Sequence, residues 1–417
     1  MESATLRPKK HNPVTAFIAA WLGWCFDGLD GYLYVLVALP FVKELLGPEA
    51  TVEKVAGTAA LIQACFLVGW AVGGAFFGRI GDKIGRTKTL TLTILTFAIF
   101  TGLSFFATAW WHLLIFRFLA ALGIGGEWAA GSALVAETFR GKGRPWASAL
   151  LQSGYMTGMI LAAVSVGLLS HLPYRYVFLV GVIPALLTIP LRWAVPEPEE
   201  WAEHRNSREM PKISALFAPE VRGTTWRVLA ICSLTLTCVW AFLYFNNPIL
   251  RGLESVKGMP KAQQDILTRS VTVEYTLWTI AGNFFAAAVA TFFGYRKAFV
   301  ALVAGAFVVF VMGYRQITDL ASARLWFNLT GFFATGVFAL YPLYIPPLFP
   351  TLLRTTGAGF CYNFGRLISA VGVLLGGALS AQVGGPAMAV WYVGFLYILA
   401  FIVALTLPEP DSRPAQV

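Results

Sequence analysis

Two carboxylates, Asp27 and Asp30, stand inside an apolar run that extends from about residue 14 to residue 37. A run of that length crosses a bilayer core, which takes about 20 apolar residues. A charged side chain there costs about 2.5–3.5 kcal/mol on insertion scales, so it marks a functional position. A carboxylate in that setting can carry a proton or hold a cation. Three residues apart, the two acids are expected on one helix face. Two guanidinium groups, Arg117 and Arg366, also lie inside apolar runs. By helix rise, Arg117 and Asp27 fall at about the same depth, so they can pair if their helices are neighbours; otherwise Arg117 snorkels to the outer interface. Arg366 falls ~16 Å into its own run, near the mid-plane. The second half of the chain offers no acid at that depth. Its expected partner is therefore the carboxylate of a small molecule, which a planar guanidinium can grip with two hydrogen bonds.

Those side chains need a scaffold, and composition says which. Of 417 residues, 57% are hydrophobic and only 12% are charged, whereas a soluble chain carries about 25% charged residues. The apolar runs are continuous rather than alternating, which disfavours a β-barrel. The net charge of +10 sits in short loops between apolar runs, so no nucleic-acid partner is implied. Cys25, Cys65, Cys232, Cys238 and Cys361 fall within the runs without metal-ligand spacing and read as small apolar side chains. No nucleophile elbow or nucleotide loop is present, so neither an enzyme nor a cofactor is expected. The basic tail with Arg7, Lys9 and Lys10 leads into a full-length span rather than a cleavable leader.

The fold expected is an all-α membrane protein with twelve transmembrane helices in two six-helix, pseudo-symmetric halves. The segments are 14–37, 56–78, 89–108, 111–137, 146–170, 174–195, 227–250, 269–293, 297–315, 323–347, 355–381 and 387–407. This divides the chain into a tail (1–13), a first half (14–195), a polar linker (196–226), a second half (227–407) and a second tail (408–417). Lys and Arg concentrate on the side that holds both tails and the linker, which places both termini in the cytoplasm of a plasma (inner) membrane. The halves echo one another: Arg140-Gly-Lys-Gly143 precedes the fifth segment and Arg354-Thr-Thr-Gly357 the eleventh. Parallel repeats of this kind place a binding site at their interface.

Gly78-Arg-Ile-Gly-Asp82-Lys-Ile-Gly85-Arg86-Thr-Lys88 joins the second and third segments, where glycines permit a tight turn. Its order of Asp, basic residue, Gly and Arg resembles the cytoplasmic loop signature of the major facilitator superfamily. The plan of six helices, loop and six helices extends that resemblance over essentially the whole chain. The equivalent loop, Gly294-Tyr-Arg296-Lys297, lacks the Asp. Arg117 followed by Gly123, Gly125 and Gly126 resembles the family's fourth-helix pattern. Pro350-Thr351 through Arg354 and Gly357 to Arg366 resembles its sugar and organic-acid branches. The Glu those branches carry nearby is replaced here by Pro346-Pro347-Leu348-Phe349. Asp27-Gly-Leu-Asp30 resembles the first helix of aromatic-acid, sialate and monocarboxylate:proton symporters.

The resemblance implies proton-coupled symport of a small organic anion by alternating access, with the proton as coupling ion and a monomer in the bilayer. Asp27 and Asp30 are then the proton-coupling candidates. Substrate-binding candidates are Arg366, Arg117, Gln152, Tyr155, Asn363, Tyr34, Asn283 and Tyr341, with Gln63, Asn246 and Asn247 as further polar positions. A conformational latch would draw on Gly78, Asp82, Gly85, Arg86, Glu137, Arg140 and Arg354, with Glu127 nearby. Asn246-Asn247-Pro248 is expected to break the seventh helix as an outer gate. Two other readings are a sugar or metabolite uniporter with structural acids and a non-transporting receptor on the same scaffold. Costly charges inside the membrane argue against the second.

Overall fold

In lipid every backbone polar group must be satisfied within its own segment, so long apolar runs become helices. The computed structural model describes residues 13–139, 141–169, 171–183, 187, 197–198, 201–203, 211–380 and 382–410. The first half contains α1 (Pro13–Leu46), α2 (Val52–Ile84), α3 (Arg86–Ser104), α4 (Trp110–Thr138), α5 (Arg144–Leu168) and the short α6 (Val177–Val180). The second contains α7 (Arg222–Gly252), α8 (Lys261–Phe293), α9 (Tyr295–Val308), α10 (Leu320–Thr330), α11 (Arg354–Ser380), α12 (Pro386–Gly394) and α13 (Leu396–Leu405). The all-helical expectation holds. Among the described residues nine helices are long and apolar enough to span a bilayer. The expected sixth segment lies largely outside the described residues.

Three segments differ from expectation. α1 continues past residue 37 to Leu46 with Pro40 inside it. α2 runs to Ile84, so Asp82 lies on its last turn rather than in a loop. The tenth segment is not one α-helix: after α10 it passes through a π turn at Gly331–Thr335 and 3-10 turns at Gly336–Ala339 and Pro346–Leu348. Gly331, Gly336, Pro342, Pro346 and Pro347 explain the interruptions, since Gly loosens a helix and Pro removes a backbone donor.

α4 packs along α2 and α3, and α1 along α5; in the second half α7 packs along α11 and α9 along α13. The halves meet where α2 faces α11 and where α5 faces α8. α1 and α5 approach closely because a Cβ at Gly28 would collide with the backbone of Tyr155, and one at Gly158 with that of Cys25. Glycine at both positions therefore brings Tyr155 beside the acids of α1.

Each half fastens its end to an earlier helix in the same way. Gly85 and Gly294 have φ of 111° and 91° and begin α3 and α9. The carboxylate of Glu197 accepts from the Thr87 and Lys88 amides at 3.1 and 3.0 Å. That of Glu409 accepts from the Tyr295 and Arg296 amides at 3.0 and 2.8 Å. An anion suits these exposed N–H groups and the positive end of the helix dipole. Burial nonetheless pushes the Glu197 carboxyl above its usual range, against the hydrogen bonds and nearby Arg86.

Candidate functional site

Between the halves lies a cavity of about 440 Å³. α1, α2 and α5 contribute Trp24, Tyr32, Gln63, Phe66, Trp70, Gln152 and Tyr155 to its wall. α7, α8 and α11 contribute Trp240, Asn246, Asn247, Thr268, Tyr275, Tyr362 and Arg366. With Leu67, Met156, Met159, Leu236, Val239 and Leu243 the wall is mainly apolar, and its aromatic rings are interspersed with amides and hydroxyls able to orient a small molecule. Arg366 is its cationic member. Its guanidinium carbon sits 3.9 Å from the Trp70 ring centre and 5.1 Å from that of Tyr362. Cation–π contact of this kind holds a charge that is only 4% exposed. Nη1 donates to Asn363 Oδ1 at 2.8 Å, and Asn363 is itself tied to the Gly359 carbonyl at 3.0 Å. Asn363 therefore aims Arg366 rather than lining the cavity. Asp27 and Tyr155 lie within electrostatic reach of the guanidinium.

The predicted pair of Asp27 with Arg117 is replaced by Asp30 with Arg117. Arg117 Nη1 lies 3.1 Å from both Asp30 carboxylate oxygens, and Nη2 donates to the Asp30 carbonyl at 3.2 Å. Thr101 Oγ1 adds a 2.6 Å bond to Asp30. Three residues of helix amount to only ~4.5 Å of depth, less than the error in assigning segment ends. Direction decides instead: Asp30 meets α3 and α4, whereas Asp27 comes within reach of Tyr155 on α5 and Arg366 on α11. Both acids are fully buried. Arg117 is enclosed by the rings of Phe66, Tyr34 and Phe178 at 4.7, 5.7 and 5.9 Å. It does not line the cavity, so its substrate-binding assignment is withdrawn.

At one end of the bundle the halves are clasped. Asp82, on the last turn of α2, accepts from the Thr355 and Thr356 amides at 3.1 and 2.8 Å and from Thr356 Oγ1 at 2.6 Å. These amides open α11 of the other half, where the helix dipole favours an anion. Arg86 lies 3.2 Å from Asp82 and 2.8 Å from Glu137, and donates to the Thr351 carbonyl at 2.7 Å. Arg354 Nη1 lies 3.0 Å from Glu137. A Cβ at Gly78 would press on the Thr355 carbonyl. Gly78, Asp82, Gly85, Arg86, Glu137 and Arg354 thus converge; Arg140 lies outside the described residues. Glu127 is not in this cluster; it accepts from Thr93 Oγ1 at 2.7 Å.

Three other expected site residues serve packing or lie apart. Tyr34 donates to the Ala59 carbonyl at 3.0 Å, and Tyr341 shares a 2.7 Å bond with Thr235. Asn283 is 1% exposed, away from the cavity wall. α7 does not break at Asn246-Asn247-Pro248 but continues to Gly252; both asparagines face the cavity. Residues missed from the sequence are Trp24, Trp70, Tyr362, Glu197 and Trp201. Trp201 donates to the Asp82 carbonyl at 2.9 Å. Gln63, Phe66 and Trp70 recur at helical spacing on one face of α2, a signal that marks a stripe facing the cavity.

Two groups of long helices around a cavity, clasped at one end by buried charges, define a multi-pass membrane carrier. The Major Facilitator Superfamily model matches residues 16–264, more than half of the chain, and the protein belongs to that family. It is a transporter and not an enzyme. It is 29% identical over 411 residues to the sialic acid transporter NanX of Escherichia coli K12, covering 97% of each chain. It is 31% identical over 404 residues to a probable 4-methylmuconolactone transporter of Cupriavidus pinatubonensis, covering 94% of this chain and 90% of that one. The proton:xylose symporter XylE superposes with a TM-score of 0.75 at 17% identity, over 95% of this chain and 96% of that one, which shows the fold.

Proposed function

We propose that the protein is a proton-coupled symporter of a small organic anion, working by alternating access. The observation that carries this reading is Arg366, stacked on Trp70 in an aromatic cavity between the halves, with Asp27 within its reach. Charge balance supplies the coupling. Without substrate, the Asp27 carboxylate offsets the Arg366 guanidinium across the cavity wall. A bound carboxylate takes over that role and leaves one negative charge too many in a poorly solvated site. A proton on Asp27 restores neutrality, so proton and anion load together, one for one. The Asp30–Arg117 pair stays a structural brace. Gln152 and Tyr155 are placed to bond other polar groups of the substrate. Relatives named for transport of sialic acid, cis,cis-muconate and gentisate support an organic acid as substrate.

The Lys and Arg bias supports a cytoplasmic position for the clasped end, with both termini on that side of the plasma membrane. The conformer is then closed inward, with its cavity extending toward the outer ends of α7 and α8. Opening the Asp82 clasp turns the site to the cytoplasm, and the protein acts as a monomer. The test is uptake of radiolabelled organic acids into proteoliposomes. An inward pH gradient accelerates uptake and a protonophore removes that acceleration. Initial rates indifferent to both would leave a uniporter.

A further inference from the structure

The lipid-facing wall where α2 meets α11 carries a second cavity, a groove of about 490 Å³. Val72, Phe76, Ile213, Phe360 and Phe364 line it with apolar surface, and Arg79 interrupts them. Val72, Phe76 and Phe364 are 46%, 57% and 43% exposed, as suits side chains that meet acyl chains. Arg79 does not suit that setting alone. Among the described residues its buried Nη1 has no hydrogen-bond partner, and none of those lining the groove is an acid. A guanidinium nitrogen shut away without an acceptor calls for an anion. Position narrows the anion's identity. Arg79 stands five residues before the end of α2, ~7.5 Å by helix rise, at the edge of the bilayer core. From Ala71 to Ile80 the apolar floor runs ~13.5 Å deeper into it. The occupant must therefore be apolar along its length and anionic at one end.

We infer that this groove binds an anionic glycerophospholipid, its phosphate on Arg79 and an acyl chain along α2 and α11. A planar guanidinium matches phosphate oxygens in pairs. The site also touches the clasp. One wall belongs to each half, and Gly78, next to Arg79, abuts Thr355 at the start of α11. A lipid seated there bridges the halves beside Asp82 and favours the clasped state, because it binds that state better than the open one.

Native mass spectrometry of the purified carrier with phosphatidylglycerol or phosphatidylcholine tests this. The wild type retains one phosphatidylglycerol in preference to phosphatidylcholine. Arg79→Gln lowers that retention roughly tenfold, the loss expected of one charge-assisted hydrogen bond. Lys88→Gln, which removes an exposed charge on the same side of the bundle, leaves it unchanged. Val72→Trp keeps the Arg79 charge and fills the groove, so it must lower retention as well. Wild-type retention in Arg79→Gln or Val72→Trp, or an equal loss in Lys88→Gln, overturns the proposal. Displacement of the lipid by soluble glycerol phosphate overturns the acyl-chain part of it.

Discussion

Asp82→Asn removes one charge and no volume, at the point where the halves are clasped. Asp82 receives three hydrogen bonds from the first residues of α11, at 3.1, 2.8 and 2.6 Å, and Arg86 lies 3.2 Å away. All of this is shielded from water. Asparagine keeps one acceptor oxygen but turns an NH2 group toward an amide that needs an acceptor. Each charge-assisted bond contributes about 1.5–3 kcal/mol, and the dipole of α11 up to about 2 kcal/mol. Arg86 keeps Glu137, which limits the loss. The clasped state should therefore lose about 2–3 kcal/mol relative to the open one, a shift of roughly 30- to 150-fold. Hydrogen exchange reads this directly, because the Thr355 and Thr356 amides are the donors. Their protection should fall by that factor while amides in mid-α4 keep theirs. Turnover slows, because the closed state is no longer held. Unchanged protection at both amides would show that Asp82 does not hold the halves together.

Arg366→Lys keeps the charge but loses the planar group stacked on Trp70, so substrate binding by calorimetry should weaken by about 2–4 kcal/mol; near-normal affinity would move the anion site elsewhere. Asp30→Asn leaves Arg117 buried without its carboxylate and should lower stability by about 3–5 kcal/mol, seen as a drop in melting temperature. Asp27→Asn should keep the melting temperature and lose gradient-driven accumulation, and the opposite pattern would exchange the two roles. Both amide atoms of Asn283 are buried without a hydrogen-bond partner, so Asn283→Leu should stabilise this conformer by about 1–3 kcal/mol; an unchanged melting temperature would show that the amide is already satisfied by water.

The sequence announces charges inside the membrane but not their direction. Asp27, Asp30, Arg117 and Arg366 stand out because ionisable groups are rare in apolar runs; Asp27 and Arg366 keep their expected roles in the proposed mechanism, and the ion pair revises those of Asp30 and Arg117. Depth along a helix can be counted; rotation toward a neighbour cannot be read without the crossing geometry, and so the partner of Arg117 was misassigned by one turn. The 78–88 stretch is legible as a clasp through its resemblance to the family's loop signature, with Asp, basic residue, Gly and Arg in order. That Asp82 grips the first amides of α11 was not legible, since backbone donors leave no mark in a sequence. The broken tenth segment was visible as glycines and prolines, yet its high hydropathy outweighed them. Trp201 and Glu197 were passed over because the linker reads as polar surface, although both turn inward.

The paired clips at Glu197 and Glu409 bear on how the chain is assembled. Each glutamate follows the last helix of its half and returns to the helix that begins after Gly85 or Gly294. Synthesis delivers the two clips at different times. Once residue 197 emerges, the acceptor for the Thr87 and Lys88 amides of α3 is in place, before any of α7 exists. The second half waits for residue 409, so α9 is left with open amides until that residue is made. Halves that lock separately let a nascent chain mature in stages, as larger proteins do. A chain cut after Pro408 would keep its helices but lose the second clip, and the quality-control cost would fall on the second half alone.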